Sequence, residues 1–159
     1  WIPSNADSAL FGTRITDRFF LVKVGGDLAF LTAVQKLLVE RGAVAGDFIA
    51  EATTGYEDFV AHLEEQPFEA LVAQSGTTRE EIEAFAEELA GAERGVLVWS
   101  MGVTQHVHGA DTVRAVVNTV RRGAGEISFM GCGRKRVRED VCGFAYSSSV
   151  TWSPRQVKL

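Results

Sequence analysis

A chain of 159 residues is long enough for one domain with a buried core, and 46% hydrophobic with 23% charged residues excludes wholesale disorder. No stretch reaches the roughly 18 uninterrupted apolar residues of a membrane helix, and Trp1-Ile2-Pro3-Ser4-Asn5 has nothing of a signal peptide, so a soluble, cytoplasmic polypeptide is expected. Charge is uneven, with 8 Lys/Arg against 18 Asp/Glu in residues 1–120 and 8 against 3 in residues 121–159. The acidic body argues against nucleic acid as a partner, and the basic tail around Arg134-Lys135-Arg136 and Arg138 lacks the interleaved aromatics of a nucleic-acid surface.

In chain order, Phe19-Phe20-Leu21-Val22-Lys23-Val24 reads as a first strand. Gly25-Gly26-Asp27 turns it into a helix over 28–41, with Asp27 as N-cap and Leu28, Leu31, Val34, Leu37 and Leu38 at helical spacing until Gly42. A short helix is predicted from Asp47, with Phe48 and Ile49 inward, ending before Thr53-Thr54-Gly55; further helices follow over 56–65 and 68–74. Thr78 and Glu81 have capping-box spacing. Ile82, Phe85, Ala86 and Leu89 form the apolar stripe of the helix they open, and Glu80, Glu81, Glu83, Glu87 and Glu88 its solvated face. Gly95-Val96-Leu97-Val98-Trp99 predicts a strand covered on both faces. A polar loop over 100–109 and a helix from Asp111 to about Arg121 complete the readable part.

Strands at 19–24 and 95–99, joined by a helical crossover of about 70 residues, predict parallel neighbours with a right-handed connection. The expected fold is α/β: a partial Rossmann-like three-layer domain over residues 1–122, followed by an irregular, basic tail over 123–159. Periodicity fails after Arg122, although 143–146 and 150–152 could form short strands. The tail is predicted to pack poorly, with Phe129, Phe144, Tyr146, Val150 and Trp152 as its main apolar residues.

Two turns carry the candidate chemistry. Gly25-Gly26-Asp27 and Met101-Gly102-Val103-Thr104-Gln105-His106 both follow predicted strands, where open α/β sheets bind ligands, and the first feeds a helix N-terminus whose amides can receive an anion. Their plain alternatives are a strand-to-helix turn with a capping Asp, and core packing for Met101. G-x-G-x-x-G is absent and no acidic residue ends a neighbouring strand, which argues against NAD or FAD. His106 and His108, with Asp111 nearby, are read as part of a polar loop without a metal, because a stable site needs three or four convergent ligands. His62 reads as a boundary histidine, and Cys132 and Cys142 match neither iron-sulfur nor structural zinc spacing.

Four groups of residues resemble one family in their order and spacing. They are Ile2-Pro3-Ser4-Asn5 with Ser8-Ala9-Leu10-Phe11-Gly12-Thr13; Val24-Gly25-Gly26-Asp27; Asp47-Phe48-Ile49 with Thr54-Gly55-Tyr56-Glu57; and Val98 to His106 with Gly109-Ala110-Asp111-Thr112-Val113-Arg114. The family is the molybdopterin oxidoreductases, in particular their formate-dehydrogenase-like branch, and the resemblance covers roughly residues 1–120. It implies part of the α/β domain that holds one arm of a molybdenum bis-molybdopterin guanine dinucleotide cofactor. Gly25, Gly26 and Asp27 would lie by that arm, and Met101, Gly102 and Gln105 would border the pterin dinucleotide.

The resemblance assigns no catalytic residue to this chain. The Cys, selenocysteine or Ser that ligates the metal and the cysteines of the iron-sulfur cluster are expected upstream, in the rest of a parent enzyme, so the chain alone is predicted inactive. Its implied partners are the remaining parent domains; the small-molecule substrate and electron-transfer partner belong to the full enzyme. A Trp at position 1 agrees with a segment of a longer polypeptide. After the last helix, Arg121-Arg122-Gly123-Ala124-Gly125-Glu126-Ile127 departs from the glycine-rich and arginine-glycine run usual in the family, as a frameshift, an alternative exon or an early stop would produce. The alternative reading is a non-catalytic stand-alone interaction module, or a degenerate remnant of such an enzyme.

Overall fold

A computed structural model describes residues 16–92, 95–120, 127–131 and 150–151. Its centre is helix α1 (Asp27–Glu40), which the apolar run from Leu28 makes hydrophobic nearly all round. A helix of that kind belongs inside a fold. Leu28, Phe30, Leu31, Val34, Leu37 and Leu38 are all buried. Around α1 pack α3 (Tyr56–Glu64), α4 (Phe68–Ser75), α5 (Arg79–Gly91) and α7 (Gly109–Val120). Gly42, at φ 64°, ends α1 in a Schellman motif: its amide donates to Val39 O and that of Ala43 to Leu38 O.

The short helix α2 (Gly46–Ala52) leads into β1 (Thr53–Thr54). Helix α5 begins with the expected capping box: Thr78 Oγ1 accepts from the Glu81 amide at 3.3 Å, and Glu81 Oε2 accepts from the Thr78 amide at 3.2 Å. Glu81 is therefore part of the cap and not of the solvated face. Ile82 and Ala86 are buried, and Phe85 and Leu89 pack against the core. Phe85 meets Phe20 edge-on at a centroid distance of 5.3 Å and Phe30 at 5.2 Å, which ties residues 19–24, α1 and α5 together.

Strand β2 (Gly95–Trp99) is followed by the one-turn helix α6 (Met101–Thr104), α7 and β3 (Ile127–Gly131), with β4 (Val150–Thr151) last. β2 and β3 pair in parallel from Gly95 against Ile127 to Trp99 against Gly131. β1 and β4 form a second, separate parallel pair, Thr53 against Val150 and Thr54 against Thr151.

The parallel pairing across a helical crossover is present, but between 95–99 and 127–131 and not between 19–24 and 95–99. Residues 19–23 carry no regular secondary structure, Val24 lies in a turn, and none of them has a ladder partner among the described residues. Their alternation comes from packing alone: Phe20 and Val22 lie on the core, whereas Phe19 and Leu21 are 76% and 67% exposed. The described residues are thus mostly helical with two two-stranded pairings, and a three-layer Rossmann-like sheet is not present among them.

Three local expectations also change. Gly26, not Asp27, is the N-cap of α1, and no side chain caps that end; the Asp27 carboxylate stands in the first helical turn. The predicted loop after β2 contains a helical turn, α6. The tail forms a strand at 127–131 where no pattern was readable, whereas the strand at 150–151 falls within the short strand expected over 150–152. The expected strand at 143–146 and the side chain of Phe48 lie outside the described residues. No helix among the described residues is long and apolar enough to cross a membrane.

Candidate functional site

The first candidate turn is built by one hydrogen bond and one close approach. The Gly26 amide donates to Lys23 O at 2.8 Å, closing a β-turn over Lys23–Gly26 with Gly25 at φ 79° in third place. That is the type II pattern, which favours glycine there. A Cβ on Gly26 would stand 2.5 Å from Ser75 O and 3.0 Å from Gln74 O, so the backbone of the turn lies directly against the carboxyl end of α4. The Lys23 amide donates to the same Ser75 O at 3.0 Å. Ser75 itself is fully buried, and its Oγ donates to Val72 O and accepts from the Thr77 amide. Gly26 thus has a packing reason to be glycine. Gly25 faces open space, with nothing within 4 Å of a Cβ placed on it.

This anchoring fixes the start of α1. The first helical bond runs from the Phe30 amide to Gly26 O at 2.9 Å, which leaves the amides of Asp27, Leu28 and Ala29 at a helix N-terminus with no side-chain cap. They carry the partial positive charge of that terminus. The half-buried Asp27 carboxylate beside them accepts hydrogen bonds and opposes a bare anion. Together the turn offers donors for phosphate-like oxygens and one acceptor for a ligand's N–H or O–H groups.

The second turn lies at the carboxyl end of β2. Met101, Gly102 and Gln105 are all exposed, and Met101, at 54%, is not a core residue. Gln105 Nε2 lies 3.7 Å from Met101 Sδ. A Cβ on Gly102 would meet nothing within 4 Å, so the fold leaves that position free for a ligand to approach. Gly109, by contrast, is constrained, because a Cβ there would lie 2.4 Å from Thr104 O. No hydrogen bond among the described residues joins the two turns. They are connected through the packing of α1 on α7.

His106 and His108 are exposed, and the Asp111 carboxylate accepts from Arg114 Nη1 at 3.1 Å. Among the described residues, no three His, Cys, Asp or Glu side chains gather as a metal site would require. His62 is half-buried and its Nε2 lies 2.9 Å from Gln66 Nε2.

Sequence reading missed three residues that set this framework. Ser75 receives the first turn, Gly109 lets α7 start against Thr104, and Gln35 is a buried amide inside α1. Gly109 was legible only as a member of the block that resembles the family, and Gln35 only as a polar residue inside the apolar run from Leu28 to Leu38.

No protein-family profile matches the chain. Among curated proteins it is similar to Protein YdeP of Escherichia coli strain K12, with 29% identity over 67% of this chain and 15% of the relative. It is also similar to the "Probable oxidoreductase YjgC" of Bacillus subtilis strain 168, with 32% identity over 65% of this chain and 10% of the relative. A third is the "Putative formate dehydrogenase" of Staphylococcus aureus strain USA300, with 35% identity over 64% of this chain and 10% of the relative. The chain is therefore a distant relative of proteins named as oxidoreductases and formate dehydrogenases, and spans 10 to 15% of the length of these relatives.

Proposed function

We propose that this chain is part of a molybdenum-dependent, formate-dehydrogenase-like oxidoreductase and contributes to holding a molybdopterin guanine dinucleotide. One observation carries the reading: the amides of half-buried Asp27 and of buried Leu28 and Ala29, in the first turn of α1, have no side-chain cap, and they lie behind a glycine turn that opens to solvent at Gly25. Amides at a helix N-terminus are a ready receptor for pyrophosphate oxygens. The relatives are named as an oxidoreductase and a formate dehydrogenase, and the motifs that resemble the molybdopterin family support this cofactor among phosphorylated ligands.

In this reading the Asp27, Leu28 and Ala29 amides receive phosphate oxygens, and the Asp27 carboxylate accepts from N–H or O–H groups of the nucleoside. Gly25 and Gly102 leave room for close approach, and Met101 and Gln105 border the ligand from the end of β2. When bound, the cofactor supplies two-electron redox chemistry at its metal. This chain's own residues position it and supply no catalytic group, so catalysis requires the rest of the enzyme.

The test is titration of the 159-residue chain with GDP, followed by calorimetry and amide NMR, with NAD and FAD as controls. Saturable GDP binding with shifts confined to the amides of residues 25–29 and 101–105 is expected, with none for NAD or FAD. No saturable binding, or equal binding of all three, overturns the reading in favour of a non-catalytic module or remnant.

A further inference from the structure

Met101 places an oxidisable sulfur within reach of solvent. It opens α6 at the carboxyl end of β2, it is 54% exposed, and every residue from Thr104 to His108 is exposed as well. A buried thioether packs as a hydrophobe, whereas an exposed one is open to conversion to the sulfoxide.

Gln105 makes this sulfur unlike one that solvent surrounds evenly. The Gln105 amide donates to Met101 O at 2.9 Å, so α6 sets the two side chains one turn apart on the same face. Gln105 Nε2 in turn donates to Met101 Sδ at 3.7 Å. A thioether sulfur carries two lone pairs, and oxygen transfer to one or the other gives sulfoxides of opposite configuration. The Gln105 contact occupies one of them and leaves the other for attack.

We infer that Met101 is a reversible oxidation site for hydrogen peroxide, at which Gln105 selects one sulfoxide epimer and the oxidised side chain weakens ligand binding at the second turn. The open lone pair of Sδ attacks one peroxide oxygen, the S–O bond forms as the O–O bond breaks, and the leaving hydroxide takes the proton of the attacked oxygen to give water. Sulfur loses two electrons and the peroxide gains them. A thiol-dependent sulfoxide reductase returns the thioether, with the oxygen leaving as water and the thiols becoming a disulfide. Oxidation replaces an apolar, flexible contact with a polar, chiral one. The site and its selectivity stand apart from the cofactor reading, and only the effect on ligand binding rests on it.

The test is peroxide treatment of the full 159-residue chain after alkylation of Cys132 and Cys142, with peptide mapping that separates Met101 from Met130. Treatment with the two methionine sulfoxide reductases, each specific for one epimer, then measures the epimers at Met101. An excess of one epimer by about threefold is expected, the scale of a single weak hydrogen bond, falling to near equality in Gln105→Ala. GDP titrations are expected to lose affinity by about threefold or more on oxidation and to regain it on reduction, and those of Met101→Leu should be indifferent to peroxide. The inference is overturned if Met101 resists peroxide, if its epimers form equally in the native chain, or if Gln105→Ala keeps the excess. GDP binding that oxidation leaves unchanged overturns it equally. A native chain that binds no GDP overturns the cofactor reading and with it the ligand effect, while the epimer ratio still decides the site.

Discussion

Gln35 and Thr119 form a buried polar link between α1 and α7: Gln35 Nε2 donates to Thr119 Oγ1 at 2.8 Å and to Ala115 O at 2.7 Å. Both residues are nearly inaccessible, at 2% and 3% exposure. Thr119 Oγ1 in turn donates to Ala115 O at 2.8 Å, so one carbonyl gathers both side chains. The link fixes the register of the two helices that lead away from the candidate turns. Replacing Gln35 with Ala leaves a cavity and removes its hydrogen bonds to Thr119 and Ala115. A loss of about 2 to 4 kcal/mol is expected in urea unfolding, with a smaller loss for Gln35→Met, which keeps the volume.

Glycines at the two turns should respond in opposite ways. Gly26→Ala drives a Cβ into the backbone carbonyls of Ser75 and Gln74, neither of which is a flexible side-chain end. A loss of about 1 to 3 kcal/mol follows from such overpacking. Gly102→Ala meets nothing, and should change stability by less than about 0.5 kcal/mol. Thermal unfolding of the two variants checks the pair. If Gly102→Ala leaves the melting point unchanged but weakens GDP binding, the space at Gly102 belongs to the ligand.

Acid should loosen the start of α5 through Glu81. The Thr77 hydroxyl, and then the Thr78 amide, hydrogen-bond its carboxylate and hold its pKa below the usual carboxylate value. A group with a depressed folded pKa contributes stability above its unfolded pKa and loses that contribution as pH falls through the folded one. Urea midpoints should therefore fall between about pH 5 and the folded pKa of Glu81 more steeply for the native chain than for Glu81→Gln. Equal slopes would show that the cap carries no titratable stability.

Hydrogen exchange tests where the ordered fold ends. The parallel ladder with β2 should protect amides of residues 127–131, whereas a tail that packs poorly from Arg122 onward would exchange there at the rate of an unfolded peptide. Removing residues 123–159 should accordingly lower stability if the ladder is protected, and change little if it is not.

What the sequence determined by itself was local. Helix spacing in Leu28 to Leu38, the Thr78–Glu81 box, the stop at Gly42 and the apolar strand at 95–99 depend on residues within a few positions of one another, and each is in the structure. The motifs that pointed to oxidoreductase relatives were legible for the same reason, as short runs in a fixed order. Pairing was not. Phe19 to Val24 and Gly95 to Trp99 read equally well as strands, yet among the described residues only the second has a ladder, because a strand is made by a partner and β3 lies in a tail without a readable pattern. Nor could the sequence separate the two glycines of the first turn. Gly25 is set by its own backbone angle, whereas Gly26 is set by Ser75 O, which packing brings from the end of another helix 49 positions away. Burial of Gln35 against Thr119 and exposure of Val96 and Val98 were decided likewise by which helices the tertiary fold places beside each face.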